Sequence, residues 1–405
     1  MRQLLEEAGF KVVESLEQAD VIVINTCAVR GDTERNILRR IAELYHIASR
    51  REARLVVAGC LVNVRPASIL RVAPTASLIE PDALERVVEA ARRELRIVRT
   101  YRGCRTRLPR YRGGATYVVP VQTGCIGNCG FCVGKVARMR LASYPLEKIV
   151  DCIKDAVRLG AKQVFLVGQD LAAYGKDIGL SLVELLRAIL EEVEGDFRIR
   201  IGMMEPHAVG EMARELASLM RDERVYNYLH LPLQSGDDKV LRLMNRKYTV
   251  SEYESIVSVF RRDLERLNLV TDVIVGYPGE GPKEFENTVR AVERLMFDKV
   301  HVARYTLRPF TKAYVMESQV LEPEKKKRSK IMAEVAARVG LEVNKRYIGG
   351  VFEALVEGVG TKGYVLRLRS NYKPVVAHDN VKVGEVVEVR IVGASPYHLV
   401  GKVIA

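Results

Sequence analysis

Six short apolar runs recur through the middle of the chain: Tyr117 to Gln122, Gln163 to Val167, Phe197 to Met203, Tyr226 to Leu231, Val270 to Val275 and Val300 to Thr306. Runs of this length, rich in β-branched residues, read as buried parallel strands. The stretches at about 145–159, 180–193, 208–220, 236–266 and 283–296 carry apolar residues at helical spacing and read as the connecting helices. Repeated strand–helix units joined by right-handed crossovers curl into a barrel, and six of them close only about three-quarters of one. The expected core is therefore an open (β/α)6 part-barrel with a lateral mouth wide enough for a macromolecular substrate.

Polar residues gather where these strands end, the face on which barrel enzymes keep their chemistry. The second strand runs into Gly168-Gln169-Asp170, the third into Met204-Glu205-Pro206-His207, the fourth into Pro232-Leu233-Gln234-Ser235-Gly236, the fifth into Gly276-Tyr277-Pro278-Gly279-Glu280, and the sixth leads to Arg304-Tyr305 and Arg308-Pro309. The first strand leads into Thr123-Gly124-Cys125-Ile126-Gly127-Asn128-Cys129-Gly130-Phe131-Cys132. Here three cysteines stand at C-x3-C-x2-C spacing, with Gly124, Gly127 and Gly130 letting the loop fold back so that the thiolates converge. Three soft thiolates suit an iron–sulfur cluster, with one metal position left open for a cofactor. A zinc knuckle completed by Cys104 or a histidine is the alternative. Cys152, on the helix after Pro145, reads as structural.

Before the part-barrel, residues 1–96 alternate helix and strand. Val21 to Asn25 and Leu55 to Gly59 read as parallel strands, with a helix from Thr33 to Ser49 between them, giving a doubly wound α/β domain. Each strand ends in a cysteine, Cys27 and Cys60, at the strand ends where open parallel sheets bind ligands. Singly, each would more often be a buried filler; their matched placement points to metal ligands. The first helix begins at Met1 with neither an N-cap nor a strand before it, so the domain is expected to lack its first strand through a trimmed or misassigned start.

Residues 97–114 form a basic linker in which Arg99, Arg102, Arg105, Arg107, Arg110 and Arg112 are interleaved with Tyr101 and Tyr111, a composition suited to lying along an RNA backbone or, equally, to a solvated, strongly charged connector. The core occupies 115–340. From 342 to 405, short strands at Phe352 to Glu357, Tyr364 to Arg369, Val386 to Val392 and Leu399 to Ile404 read as a small β-barrel, either one that holds RNA, with Arg367, Arg369, Lys373 and Tyr372 as candidate contacts, or a plain structural one. The net charge of +13 points to an acidic partner, most simply nucleic acid, although a charge-rich thermophilic surface would look similar. No signal peptide or membrane-length apolar run is evident. The expected location is cytoplasmic, where cysteines serve as ligands or free thiols rather than disulfides.

With the three parts placed, the chain resembles the methylthiotransferase family of radical S-adenosylmethionine (SAM) enzymes, with their N-terminal domain, radical SAM core and C-terminal TRAM domain. The likeness rests on Asn25-Thr26-Cys27-Ala28-Val29-Arg30-Gly31-Asp32-Thr33-Glu34, Val57-Ala58-Gly59-Cys60, the three-cysteine loop, Tyr228-Leu229-His230-Leu231-Pro232-Leu233-Gln234-Ser235-Gly236, and Thr271-Asp272-Val273-Ile274-Val275-Gly276-Tyr277-Pro278-Gly279-Glu280. The N-terminal motif and Ala173-Tyr174-Gly175 are most similar to the archaeal and eukaryotic branch. The resemblance implies a [4Fe-4S] cluster on Cys125, Cys129 and Cys132 that binds SAM, and an auxiliary [4Fe-4S] cluster on Cys27, Cys60 and a third cysteine absent from this sequence. It makes Gln169, Glu205, Gln234 and Asp272 candidate SAM contacts, Gln169 standing where many radical SAM proteins carry the glutamate of a Gly-Gly-Glu. The implied substrate is N6-threonylcarbamoyladenosine beside the tRNA anticodon, methylthiolated at C2, with the anticodon stem-loop, an electron donor and a sulfur source as partners. Isopentenyladenosine in tRNA, a ribosomal protein aspartate, or a metal-stabilised RNA-binding role without catalysis are the alternatives.

Overall fold

The structure, a computed structural model, describes residues 1–92, 97–98, 107–138 and 140–404. It forms two compact units. The first comprises Met1–Arg105, Gly124–Leu141 and Thr306–Val315; the second comprises Thr106–Thr123, Ala142–Tyr305 and Met316–Ala405. The three-cysteine loop and the segment after the last barrel strand, expected with the barrel, thus pack with the N-terminal unit.

The first unit is built on a parallel sheet in the order β1 (Val21–Thr26), β2 (Arg54–Gly59), β3 (Ser77–Ile79), β4 (Ile97–Val98). Alternation along β2 sends Leu55 and Val57 to one face, where Ile41, Leu44 and Ala48 of the helix Gly31–Arg50 meet them. Val56 and Ala58 face the other way, against Val87 and Ala90 of the helix Val87–Ala91 and against Leu4 and Leu5. Covering both faces explains why β2 reads as a continuous apolar run. The short β3 and β4 escaped the sequence pattern because so few residues carry no usable periodicity.

In the second unit β5 (Thr116–Pro120) is followed by β6 (Gln122–Thr123), which pairs antiparallel with β7 (Ala142–Ser143). β5 then lies beside β8 (Gln163–Val167) and β9 (Arg198–Ile201) in one parallel sheet, and β10 (Tyr228–His230), β11 (Asn268–Val275) and β12 (Lys299–Arg304) form another. A bridge between Ile199 and Val225 joins the two, giving the expected six-stranded part-barrel. Val164, Leu166, Ile199, Val273 and Val275 pack outward onto the helices. One departure is the stretch read as a single helix over 236–266, which is two, Asp238–Leu243 and Val250–Asp263. Asn245 turns the chain at φ +56°, and Thr249 with Glu252 forms a capping box that starts the second helix.

After the helix Glu322–Lys345, the strands β13 (Val351–Gly360), β14 (Gly363–Leu368), β15 (Pro374–Ala377), β16 (Val386–Ala394) and β17 (Leu399–Val403) close a barrel in the order β13-β14-β15-β17-β16. β15, led by a proline and four residues long, was not expected; its parallel pairing with β17 closes the barrel. The small barrel docks on the larger one within this unit. Tyr372, at φ +61°, sits edge-on to Phe165, Tyr226 and Tyr228 at 5.3, 5.2 and 5.8 Å between ring centroids. No helix among the described residues is long and apolar enough to cross a membrane.

Candidate functional site

Both candidate cysteine sets lie in the first unit. Cys27 follows β1, and Cys60 opens the helix Cys60–Val64 directly after β2. Thr26 pairs with Gly59 across the parallel ladder, so the two cysteines leave adjacent strand ends side by side. Gly59 permits this at φ +101°, since a Cβ there would stand 2.5 Å from the Thr26 carbonyl oxygen. Thr26 ties the junction by donating from Oγ1 to the Ala58 carbonyl at 2.7 Å and accepting the Leu61 N–H at 3.3 Å.

The three-cysteine loop closes at Gly124, whose φ is +76° and whose Cβ would lie 1.9 Å from the Arg140 carbonyl oxygen. Within the loop, Gly127 N–H donates to Cys125 Sγ at 3.1 Å and Gly134 N–H donates to Cys132 Sγ at 3.2 Å. Such N–H···S bonds are of the kind that a metal-bound sulfur accepts. A Cβ on Gly127 would stand 3.2 Å from Cys125 Sγ and 3.8 Å from Cys129 Sγ, so both sulfurs border a space that a methyl group would fill. No three His, Cys, Asp or Glu side chains among the described residues gather as they would round a single ion. A four-iron cluster instead sets each thiolate on its own iron, and a tight loop of N–H-bonded sulfurs fits that demand. Cys104 lies outside the described residues. Cys152 is half-buried beside the barrel core, and burial pushes its thiol pKa up.

Arg308-Pro309, singled out after the sixth strand, belong to the segment Thr306–Val315, whose partners the sequence did not reveal. Arg308 forms a buried ion pair with Glu34 of the helix Gly31–Arg50, Thr306 Oγ1 accepts the Gly31 N–H at 3.3 Å, and Ala313 N–H donates to the Gly130 carbonyl at 2.8 Å. This strap therefore holds the stretch after Cys27 and the loop carrying Cys129 and Cys132. Its partners lie far away in sequence, so no local pattern marks it.

In the second unit the barrel brings its polar strand ends to one face. Asp170 Oδ1 accepts the Glu205 N–H at 2.9 Å, and burial, the largest influence on its carboxyl, raises its pKa. Glu205 caps the helix Pro206–Leu219, Oε2 accepting the Ala208 N–H at 3.0 Å, and Oε1 pairs with Arg246 at 3.1 Å. Gln234 adopts φ +64°, donating its N–H to the Asp272 carbonyl at 2.8 Å. Asp272 Oδ2 meets His230 Nε2 at 2.7 Å, a pair the sequence did not single out. Gln234 Oε1, Gln122 Oε1 and Thr123 Oγ1 are buried without a hydrogen-bond partner. Buried polar atoms seldom stay unmatched, and orphans at this face fit a bound polar cofactor. Gln169, next to Asp170 in sequence, is half-buried.

Two of the expected RNA contacts, Arg369 and Lys373, are corrected. Arg369 is buried in an ion pair with Asp196, Nη1 donating to Oδ2 at 3.2 Å, and Lys373 is buried against Asp298 with its Nζ over the Tyr347 ring. Arg367 pairs with Glu357 at 2.7 Å and stacks over Tyr372. Arg369 and Lys373 bind the small barrel to the large one and are closed to a phosphate, whereas Arg367 pairs within the small barrel. Of the basic linker, 99–106 lies outside the described residues; Arg107, Arg110 and Arg112 are exposed or half-exposed.

Two family models match parts of the chain. A model of the Radical SAM superfamily matches residues 119–292, and one described as Uncharacterized protein family UPF0004 matches residues 1–80. The "Probable threonylcarbamoyladenosine tRNA methylthiotransferase" of Pyrococcus horikoshii is 38% identical, covering 100% of this chain and 95% of that protein. The "Threonylcarbamoyladenosine tRNA methylthiotransferase" of Homo sapiens is 30% identical over 98% of this chain and 70% of its own. Among solved structures, the radical SAM methyltransferase TsrM of Kitasatospora setae, with cobalamin and a [4Fe-4S] cluster bound, is similar in fold at TM-score 0.57 and 15% identity. That likeness covers 73% of this chain and 63% of the neighbour, less than two thirds of it. Identity of 30–38% over nearly the full length of the chain shows that it belongs to the radical SAM tRNA methylthiotransferase family.

Proposed function

We propose that this protein replaces the C2 hydrogen of N6-threonylcarbamoyladenosine, at position 37 of tRNA beside the anticodon, with a methylthio group. The observation that carries the reading is the full-length similarity to threonylcarbamoyladenosine tRNA methylthiotransferases of archaeal and human origin, supported by Cys27 and Cys60 at adjacent strand ends in one unit with the three-cysteine loop. The C2–H of adenine is neither acidic nor electrophilic, so side-chain acid–base catalysis has no purchase on it. When bound, SAM and the iron–sulfur clusters supply the radical, methyl and sulfur chemistry that the protein's side chains lack.

The chain's own residues bind and position. Cys125, Cys129 and Cys132 would hold the SAM cluster, and Cys27 and Cys60 would ligate the auxiliary one. Gln234, Gln122 and Thr123 have buried acceptor atoms to offer SAM, and Gln169 and Asp272 are further candidates. Glu205 works through the helix cap and Arg246, holding the strand end in shape. An electron donor and a sulfur source complete the reaction, which is placed in the cytoplasm with tRNA.

The test is nucleoside mass spectrometry on tRNA incubated anaerobically with reconstituted protein, SAM, sulfide and a strong reductant. A methylthio mass gain on threonylcarbamoyladenosine is expected, with Cys129→Ala abolishing both the gain and 5′-deoxyadenosine release. Release of 5′-deoxyadenosine by Cys129→Ala at the wild-type rate would overturn the cluster assignment. One relative favours a second reading: the tRNA-2-methylthio-N(6)-dimethylallyladenosine synthase of Herpetosiphon aurantiacus is 31% identical over 100% of this chain and 93% of its own. A gain on isopentenyladenosine alone would select it.

A further inference from the structure

The strap Thr306–Val315 carries a feature that folding does not explain. Its turn at Pro309–Phe310 places Phe310 at φ +64° with 73% of the residue exposed. A bulky residue in the left-handed region is a strained outlier that glycine would occupy freely, and an exposed ring returns no burial to offset the strain. The base of the turn is nevertheless held firmly. Arg308, whose side chain is only 4% exposed, pairs with Glu34, and Thr311 Oγ1 donates to the Arg308 carbonyl at 2.8 Å. Backbone strain kept in place by an over-determined surround is a signature of function.

The stretches that the strap binds carry further exposed groups. Val29 is 65% exposed and Ile126 is 52% exposed, each close in sequence to a candidate cluster ligand and each on a stretch the strap binds. Tyr314 follows on the strap itself at 50%. Arg30, Lys135, Arg140 and Lys312, on the same three stretches, are exposed cations, while the nearby acids Asp32 and Glu34 are neutralised by Arg35 and Arg308. Exposed aromatic rings among uncompensated cations are the pattern by which proteins hold single-stranded nucleic acid, the bases stacking while the cations follow the backbone.

We propose that Phe310 is a stacking platform for an unpaired base of an RNA loop, set on a rigid pedestal beside the cysteine loops. This deepens the functional reading and rests on it: it names the residue that would grip the anticodon loop where the modified adenosine lies. The ring would act by positioning the RNA, not by chemistry.

The experiment compares wild type, Phe310→Gly and Phe310→Trp as anaerobically reconstituted proteins, measuring thermal unfolding and affinity for an anticodon stem-loop RNA by fluorescence anisotropy across a salt series. Phe310→Gly relieves strain, so its Tm is expected to equal or exceed that of wild type. Its Kd is expected to rise roughly 5- to 150-fold, the range for losing one base-stacking ring, with the salt dependence unchanged because no phosphate contact is removed. Phe310→Trp should bind about as tightly as wild type. Wild-type affinity in Phe310→Gly would overturn the platform alone and leave the patch to a protein partner. A lower Tm together with weaker binding in that variant would show the ring to be structural and overturn it too. A wild-type protein that bound no stem-loop RNA would overturn both the platform and the function beneath it.

Discussion

Replacing Lys373 with methionine separates an RNA contact from a docking contact. Lys373 is 2% exposed and its ammonium lies against Asp298, itself 7% exposed and more than seventy residues away. Removing one partner of a buried pair leaves the other charge uncompensated, which costs about 3–5 kcal/mol. Asp298 keeps one donor, the Leu269 N–H at 2.9 Å, which puts the expectation near the lower end, about 3 kcal/mol. For a unit of this size each kcal/mol moves Tm by roughly 2–4 °C, so a fall of roughly 6–12 °C is expected by calorimetry or circular dichroism. Adding Asp298→Asn removes the stranded charge while keeping an acceptor for Leu269, and should recover about half the loss. Stem-loop affinity should keep its salt slope, because a true phosphate contact would lower that slope by about one. An unchanged Tm with a shallower salt slope would refute the docking argument and return Lys373 to the RNA surface.

Three further outcomes are expected. Cys60→Ala should leave SAM cleavage intact and stop methylthio transfer; retained transfer would remove Cys60 from the auxiliary cluster. Gly124→Ala should widen the neck of the three-cysteine loop, because its Cβ would collide with the Arg140 carbonyl; iron bound per chain after reconstitution should drop sharply, and full iron loading would show the neck to be adaptable. Burial raises the Asp170 carboxyl above its ordinary value of 3.8, so the folded state holds the proton more tightly than the unfolded one. Its contribution is complete below that value and is lost as pH rises through the folded pKa. Asp170→Asn should therefore gain stability over wild type as pH increases from about 4 to neutrality, measured by denaturant unfolding at several pH values; a gap that shrank with rising pH would reverse the sign.

The part-barrel, the N-terminal α/β sheet and the C-terminal barrel were all legible in the chain, because each depends on local periodicity. Val56 and Val57 must face opposite helical layers, and Val164 and Leu166 must face one, whatever the distant residues do. The spacing of the cysteines was legible for a related reason, since it is written within a few residues, but the packing of the three-cysteine loop with the N-terminal unit and the Thr306–Val315 strap was not. The split at Asn245 and the brief β3, β4 and β15 were not, since a left-handed residue or a strand of two to four residues leaves no period to count.

What folding alone settled was the use to which each charge and ring is put. Arg369 and Lys373 look like RNA ligands in a basic, glycine-punctuated barrel, and their carboxylate partners Asp196 and Asp298 lie on the other barrel, distant in sequence. The same holds for Arg308 with Glu34, and for the exposed, strained ring of Phe310. A side chain's type and spacing are written locally, whereas its desolvation, and so the sign and size of its contribution, depends on which remote carboxylate, ring or solvent the finished fold brings to it.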